Sequence, residues 1–510
     1  MANFFKEIKR RKVWQAALIY VAVAWVLIQV ADTVMPMFDA PKWVVTAFTI
    51  LLGLGFPIAI VLAWAYELKP HDSESSETDS STTTGTDNLP VTKSENKEQP
   101  QLQTGQADSS RTSKSWIAVM PFKVPADHPE LSELGDGLTE NICAGLARFP
   151  YLAVIARESV SRKAAEIKDV REFSETLGAR YVIEGSVRGS GDNVRISLRL
   201  IEAAPGISLW GDHFTRDISE TDLFALEDEI SDHVVATLAD SFGVLIRSLT
   251  ESIEDLPETE LSPIDWLLRT FEYLRLYLPD QHALLRDQLE GAVERYPRSP
   301  EIRASLAHVY LNEANFGFNP KPDSLDRALK QAEQAFELDG ASQFVNQQLA
   351  QVHFFRRDLD RFRRSADRAI ALNPLDTNTL GIIGLLFVHI REFDRGIEIT
   401  QKVMQLNENH AHWCHFSWIW YHCGREEYEQ ALERVSMVNI AGNFWIPLVT
   451  AAIHVQLNRE QDAQAAVARL LGIDPDFASH GRSEIEAWHF ASGFDEFLID
   501  GLNRAGLRLQ

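Results

Sequence analysis

The order of hydrophobic and polar positions divides the chain into five regions. Two long uncharged apolar runs come first, followed by a stretch of Ser, Thr, Gln, Glu and Asp. The next region mixes the two-residue period of strands with the helical period, and the remainder has the helical period alone. The pattern predicts a multidomain chain with a two-helix membrane anchor at 1–70, a disordered polar linker at 71–115, a small α/β sandwich domain at 116–245, helical repeats at 263–490 and a capping segment at 491–510.

The two apolar runs lie at 13–31 and 43–66. As a helix, each is long enough to cross the hydrocarbon core of a bilayer, about 30 Å, which takes roughly 17–25 residues. We therefore predict a transmembrane helical hairpin that contacts the lipid bilayer through both runs. The alternative for the first run is a cleaved secretory signal, but no small-x-small cleavage site precedes Asp32.

A basic cluster directly before the first run sets the expected topology. Because positive charge stays on the cytoplasmic side, the N-terminus is predicted to be cytoplasmic, and two spans return the chain to that side. The predicted location is the bacterial inner (cytoplasmic) membrane, as a multi-pass protein with cytoplasmic soluble domains. The cluster consists of Lys6, Lys9, Arg10, Arg11 and Lys12.

Composition limits what the rest of the chain does. The polar linker has too few apolar side chains to bury a core, so we predict that it is disordered. A formal net charge of −24 argues against a nucleic-acid partner, because binding phosphates requires clustered Lys and Arg. Three cysteines, Cys143, Cys414 and Cys423, form no disulfide framework.

The region after the linker contains alternating strand and helix patterns. Helices are predicted at 135–149, 169–179 and 223–242. The intervening strands have apolar residues in runs or at every second position. These strands are predicted at 116–122, 152–157, 180–188, 193–203 and 207–216.

This region resembles the TolB amino-terminal-like domain of bacterial membrane regulators of the CadC type and of repeat proteins associated with adenylate cyclases. The resemblance implies a sensory or assembly module without catalytic residues. The apolar segments 4–34 and 55–70 are similar to the membrane lead of those proteins. Related regulators often begin with a winged-helix or cyclase domain, and we expect none here because few residues precede the first run. The motifs are IAVMPF (117–122), DGLTE (136–140), VIAR (154–157), LGARYVIEGSVR (177–188), LW (209–210) and FALEDEI (224–230).

Beyond residue 260 the helical pattern repeats. Leu338, Leu372 and Leu406 end successive helical segments at intervals of 34 residues. Small residues such as Gly396 recur where neighbouring helices need close contact. This spacing resembles the tetratricopeptide repeat (TPR), which implies an all-α TPR-like solenoid of about six repeats between Pro263 and His480. Two departures are Phe362, at a site that favours Ala, and an insertion at 316–324.

A histidine-rich segment at 410–424 has three possible roles: ordinary packing, partner contact or metal binding. Its spacing lacks the C-x-x-C or H-x-x-x-H pattern of a structural zinc site, so no metal is predicted. The repeat register assigns Trp413, Phe416, Ser417 and Trp420 to the core. It assigns partner contacts near the concave surface to Trp418, Tyr421, His422 and His415.

Nucleotide-binding, hydrolase and metalloprotease motifs are missing from the sequence, so no enzyme activity and no cofactor are predicted. The predicted function is a membrane-tethered scaffold or signalling adaptor that holds a protein or peptide in the solenoid groove. A second copy of the chain, in a homo-oligomer, is a further possible partner. The alternative is a non-catalytic component of a cyclase-class or CadC-type regulatory system whose effector is on another chain. A transcriptional regulator would require a basic helix-turn-helix, which we do not find.

Overall fold

The structure is a computed structural model, and it describes residues 115–510 apart from 126, 127, 129, 165, 168, 220, 221, 441, 489, 491 and 492. The predicted membrane anchor at 1–70, with its two spans and its basic cluster, lies outside the described residues. So does the predicted linker up to residue 114.

The predicted fold class and location need correction. Among the described residues, no helix is long and apolar enough to cross a membrane. The longest described helices have 17 residues and carry several charged side chains, whereas a span takes roughly 17–25 apolar residues. The architecture that the structure supports is a mostly helical TPR-like solenoid with a small five-stranded sheet. Neither the transmembrane hairpin nor a multi-pass inner-membrane location is supported.

A mixed five-stranded sheet forms the first part of the described chain, in the order β2-β1-β3-β4-β5. Strand β1 is parallel to both neighbours, and the other pairs are antiparallel. Alternation explains β4, because Val194, Ile196 and Leu198 are buried between more exposed residues. The strands are β1 (Ser115–Val119), β2 (Leu152–Val154), β3 (Tyr181–Ser190), β4 (Asn193–Glu202) and β5 (Ile207–Asp217).

Helices cover both faces of this sheet. Leu138 and Ile142 of α1 share one core with Ile230 of α4. On the opposite face, Val160 of α2 and Phe173 of α3 form a smaller core with strand residues. The helices are α1 (Glu130–Leu146), α2 (Arg157–Ala164), α3 (Arg171–Leu177) and α4 (Leu223–Ala239).

The TPR-like solenoid follows, and this prediction is confirmed. In the described part of the chain it has six helix pairs, preceded by α5 (Val244–Glu251) and followed by α18 (Phe477–Ala487) and α19 (Phe494–Arg504). The boundaries predicted for the five segments stay predictions. The pairs are α6 (Pro263–Leu276) with α7 (Pro279–Arg295), α8 (Pro300–Asn315) with α9 (Ser324–Leu338), α10 (Gln343–Phe355) with α11 (Leu359–Leu372), α12 (Thr377–His389) with α13 (Phe393–Leu406), α14 (His415–Gly424) with α15 (Tyr428–Met437), and α16 (Trp445–Gln456) with α17 (Glu460–Ile473).

Local sequence accounts for where several helices begin and for the close contact between α12 and α13. The side chains of Ser299, Ser342 and Asp376 accept hydrogen bonds at helix N-termini. Gly384 of α12 and Gly396 of α13 pack so closely that a Cβ atom on Gly396 would lie 2.7 Å from the Gly384 carbonyl oxygen. The small residues of the repeat therefore let the two helix backbones approach each other.

Asp240 joins the sheet domain to the solenoid. It follows α4 and is 3% exposed. Its carboxylate accepts hydrogen bonds from the Thr377 hydroxyl at 2.6 Å and from the Asn378 backbone N–H at 3.0 Å. A carboxylate is favourable there because the N-terminus of α12 carries free N–H groups and a partial positive charge. The sheet domain therefore docks beside the concave face of the solenoid.

Candidate ligand-binding cavity on the concave face

The concave face of the solenoid encloses a cavity of about 800 Å³. The first helix of each of the six described pairs contributes to its wall, because these helices face the inside of the curve. The sheet domain closes one side with Trp210, Asp240 and Phe242. The volume lies within the usual range of ligand pockets, roughly 300–1,000 Å³.

The chain segment after α18 crosses the concave face. The Trp488 ring lies 5.2 Å from Phe316, 5.9 Å from Phe355 and 5.8 Å from Trp445, measured between centroids. Phe490 lies 5.0 Å from Trp420. The sequence predicted a groove, and these contacts make it a partly closed chamber.

His389 ends α12 inside this aromatic cluster. Its ring centroid lies 4.5 Å from Phe490, 5.9 Å from Trp488 and 6.3 Å from Trp420. The side chain is 1% exposed, and neither ring nitrogen has a hydrogen-bond partner among the described residues. Burial lowers the pKa of His389 to about 3, so the ring is neutral. A neutral imidazole offers one donor and one acceptor.

Other buried polar atoms on the wall also lack partners in the described part of the chain. They are the side-chain oxygens of Asn312 and Asn315 and the indole N–H groups of Trp445 and Trp488. Asn312 and Asn315 are 0% and 4% exposed. Buried polar groups are nearly always paired in folded proteins, so these unpaired atoms make the cavity a candidate binding site.

Fixed charge is confined to the edges of the cavity. Asp240 is already hydrogen-bonded to the solenoid, and burial raises its pKa. Arg247 and Arg275 also border the cavity, but both are exposed. The part around His389 therefore has hydrogen-bonding capacity without charge.

The four predicted partner-contact residues do not line this cavity. Trp418, Tyr421 and His422 form a half-buried aromatic group on α14, in which Trp418 stacks on His422 at 5.9 Å. The Arg434 guanidinium lies over the Trp418 ring at 4.7 Å. The structure thus brings three of the predicted residues together, on a surface separate from the cavity. Their role in partner contact stays a prediction.

His415, the fourth predicted residue, is buried beside two other histidines. Its ring lies 5.2 Å from His410 and 6.5 Å from His412. Burial lowers the pKa of His415 to about 4, and the neighbouring histidines act in the same direction. Over the described range, no group of three or more His, Cys, Asp or Glu side chains is arranged to hold a metal ion.

Sequence reasoning missed several cavity residues. The repeat register placed Trp413, Phe416 and Trp420 in the core, and Phe416 and Trp420 are buried there with Trp413 packed against them. The register did not predict that all three also line the cavity. His389 carried a weak signal, because it is the polar end of an apolar helix. The contribution of Trp488 had no local signal, since it depends on a distant part of the chain crossing the concave face.

A family model described as the second domain of HilA/YgeH-like transcriptional regulators matches residues 113–233. The match covers the five-stranded sheet, helices α1 to α3 and the first part of α4. It leaves the solenoid unmatched. The TolB-like assignment of this region is not shown.

A relative from Rhizobium meliloti (strain 1021), named "Putative adenylate cyclase 3", is 31% identical over 248 residues. The alignment covers 48% of this chain and 41% of that protein. This chain therefore corresponds to less than half the length of that relative.

Among solved structures, the APC/C hetero-tetramer Cut9–Hcn1 is similar with a TM-score of 0.37 and 14% identity, covering 57% of this chain and 50% of that one. A tetratricopeptide repeat protein from Parabacteroides merdae has a TM-score of 0.31 and 13% identity, covering 51% and 99%. Yeast Tom70 has a TM-score of 0.31 and 11% identity, covering 56% and 78%. These TM-scores are too low to indicate what this chain binds.

Proposed function

We propose that this chain is a protein-interaction scaffold, or signalling adaptor, that holds an extended peptide segment of a partner protein in the concave cavity. The TPR-like fold fits a protein-interaction scaffold. The α/β domain acts as an assembly module, because its Asp240 docks on the solenoid and its Trp210 completes the cavity wall.

The proposal is carried by the repetition of side-chain amides along the cavity. Asn312 and Asn315 come from α8, Gln351 from α10 and Asn378 from α12, so successive repeats each supply at least one amide. A peptide backbone also repeats, with one N–H donor and one C=O acceptor in nearly every residue. A side-chain amide offers both complementary groups, so a row of amides suits an extended peptide.

The cavity wall also carries aromatic rings, which suit the side chains of a peptide. Trp413, Phe416 and Trp420, which come from the repeat after these amides, line the cavity. Large rings bury much apolar area, and this burial supplies most of the favourable free energy when a peptide leaves water. The amides then set the direction and register of the peptide.

A second candidate function is a non-catalytic part of a cyclase-class or CadC-type regulatory system whose effector is on another chain. The name of the Rhizobium meliloti relative favours it weakly, and the match to the second domain of transcriptional regulators points to the same class of process. Purified chain incubated with ATP and Mn²⁺ is expected to release no cyclic nucleotide. Sustained cyclic nucleotide production would overturn the scaffold proposal.

Selection of a displayed random-peptide library on the full chain tests the peptide-binding function. Selected peptides are then measured by fluorescence anisotropy against the wild type and the double variant Asn315→Leu, Gln351→Leu. Each lost hydrogen bond costs about 1 kcal/mol, so the double variant should bind about tenfold or more weakly. Circular dichroism and urea unfolding check that the variant is folded.

The double variant Trp418→Ala, Tyr421→Ala is the matched comparison on the other aromatic surface. It should leave the affinity of cavity-binding peptides within about twofold, since neither side chain lines the cavity. If the Trp418 variant abolishes binding and the amide variant does not, the partner site lies on α14. That outcome would overturn the cavity assignment and support the four residues predicted from sequence.

A further inference from the structure

We propose that the end of the cavity around His389 is a specificity pocket for a tyrosine side chain of the bound segment. This inference rests on the proposed function and names the chemistry of its anchor residue. The pocket is formed by His389, Trp420, Trp445, Trp488 and Phe490, all of which line the cavity.

The rings of this pocket suit a flat aromatic side chain. Trp445 lies 5.8 Å from Trp488 and 6.0 Å from Phe490, and both contacts are close to perpendicular, with interplanar angles of 78° and 68°. Rings so arranged present edges and faces that an added ring contacts at favourable angles. An aromatic side chain is therefore a better fit than a branched aliphatic one.

The unpartnered polar atoms of the pocket match a hydroxyl group. His389 offers one acceptor nitrogen, and the indoles of Trp445 and Trp488 each offer one donor. A phenolic hydroxyl donates one hydrogen bond and accepts up to two. Tyrosine thus complements the polar atoms that the fold leaves without partners, whereas phenylalanine would bury them unpaired.

The same surroundings discriminate against charged side chains. His389 is neutral, and every ring within 6.5 Å of it in the described part of the chain is aromatic and uncharged. Moving a carboxylate or ammonium group into such a site costs several kcal/mol unless it finds an opposite charge. An aspartate, glutamate or lysine anchor is therefore excluded.

The peptide experiment compares tyrosine and phenylalanine anchors on two forms of the protein. Peptides selected on the wild type should share a tyrosine, and replacing it by phenylalanine should weaken binding about tenfold. In His389→Leu the same replacement should weaken binding clearly less than in the wild type, because the acceptor is gone and only the two indole donors remain. An equal loss in both proteins, or selected peptides without tyrosine, would overturn the pocket assignment while leaving the proposed function intact.

Free p-cresol, which has the ring and hydroxyl of tyrosine, separates failure of the pocket from failure of the proposed function. Its binding is followed by quenching of tryptophan fluorescence, since Trp420, Trp445 and Trp488 surround the pocket. It should bind the wild type at least about fivefold more tightly than His389→Leu. If p-cresol discriminates in this way but no peptide binds, the proposed function falls and the pocket chemistry is supported. If it binds both forms equally, the pocket assignment fails.

His353→Leu is the matched control. His353 is also a buried histidine near the end of the first helix of a pair, but it does not line the cavity. This variant should keep the tyrosine preference and the p-cresol affinity of the wild type. Trp445→Phe provides a second test that removes one donor but keeps an aromatic ring, and it should weaken tyrosine peptides more than phenylalanine peptides.

Discussion

The solenoid contains two clusters of buried polar side chains that differ in whether their polar atoms have hydrogen-bond partners. Around Glu313, which is 2% exposed, both carboxylate oxygens are fully engaged. Arg286 donates to it at 3.2 Å, the Lys321 backbone N–H donates at 2.9 Å, and Arg327 pairs with it as well. Around His389, several equally buried donors and acceptors lack partners among the described residues.

This difference separates a structural role from the binding role that we propose. The Glu313 cluster anchors the insertion at 316–324 to α7, α8 and α9, so its hydrogen bonds stabilise the fold. Although burial alone would raise the pKa of Glu313, its hydrogen bonds and the charge of Arg327 lower it overall. The His389 cluster has the opposite character, because its donors and acceptors lack partners in the described part of the chain.

The largest expected effect is on the structural cluster. Glu313→Ala leaves two arginines without their shared carboxylate, and removing one partner of a buried ion pair typically costs about 3–5 kcal/mol. Urea unfolding followed by circular dichroism should show this loss in the free energy of unfolding. A loss below about 1 kcal/mol would contradict the structural role.

An intermediate effect is expected at the junction of the two domains, where Asp240 and Asp376 are both buried. Burial and the charge of Asp240 raise the pKa of Asp376 to about 7, from 3.8 when it is free. Asp376 therefore ionises at a lower pH in the unfolded chain than in the folded one. Stability should therefore be fully present below about pH 4 and decrease as pH rises through 7, by roughly 1–4 kcal/mol.

Urea unfolding at pH 5 and pH 8 measures this dependence, and Asp376→Asn is the control. Asparagine keeps the N-cap hydrogen bond of α12 but does not ionise. The free energy of unfolding of the variant should depend less on pH. It should exceed that of the wild type by more at pH 8 than at pH 5. A wild-type protein that becomes more stable from pH 5 to pH 8 would contradict the prediction.

The smallest effect on stability is expected at the His389 cluster. His389→Leu replaces an unpartnered buried polar group by an apolar one, so the free energy of unfolding should stay the same or rise by up to about 1 kcal/mol. His308→Leu is the comparison variant, because it removes a buried histidine that has a hydrogen-bond partner. His308 is equally buried, and its ring is hydrogen-bonded to the Gln348 side chain at 2.8 Å. That variant should lose about 1–3 kcal/mol. Equal losses in both variants would remove the distinction between the clusters.

Much of the fold could be predicted from local patterns. Helices α9, α11 and α13 end at Leu338, Leu372 and Leu406, as the 34-residue spacing predicted. The five strands also coincide with predicted strand segments, because apolar alternation is a local property. Two short helices were not predicted: α2 is mostly polar, and α5 lies between the two predicted domains.

The candidate site was less predictable than the fold. Phe416 and Trp420 share α14 with Trp418 and Tyr421, and Trp413 lies in the short turn just before this helix. All five are aromatic, so residue type does not distinguish the two faces. Which face lines the cavity depends on the curvature of the whole solenoid. The crossing of Trp488 over the concave face depends on contacts with residues more than 100 positions earlier, such as Phe316 and Phe355.

The sequence by itself determined the repeat, its period and the close contact at Gly396, because helix ends and small-residue sites follow from spacing along the chain. Only the tertiary structure decided that the concave face is a partly closed chamber and that the buried His389 ring lacks hydrogen-bond partners among the described residues. The physical reason is that burial and hydrogen-bond pairing are properties of three-dimensional neighbours. Whether a polar side chain is satisfied depends on which distant residues reach it.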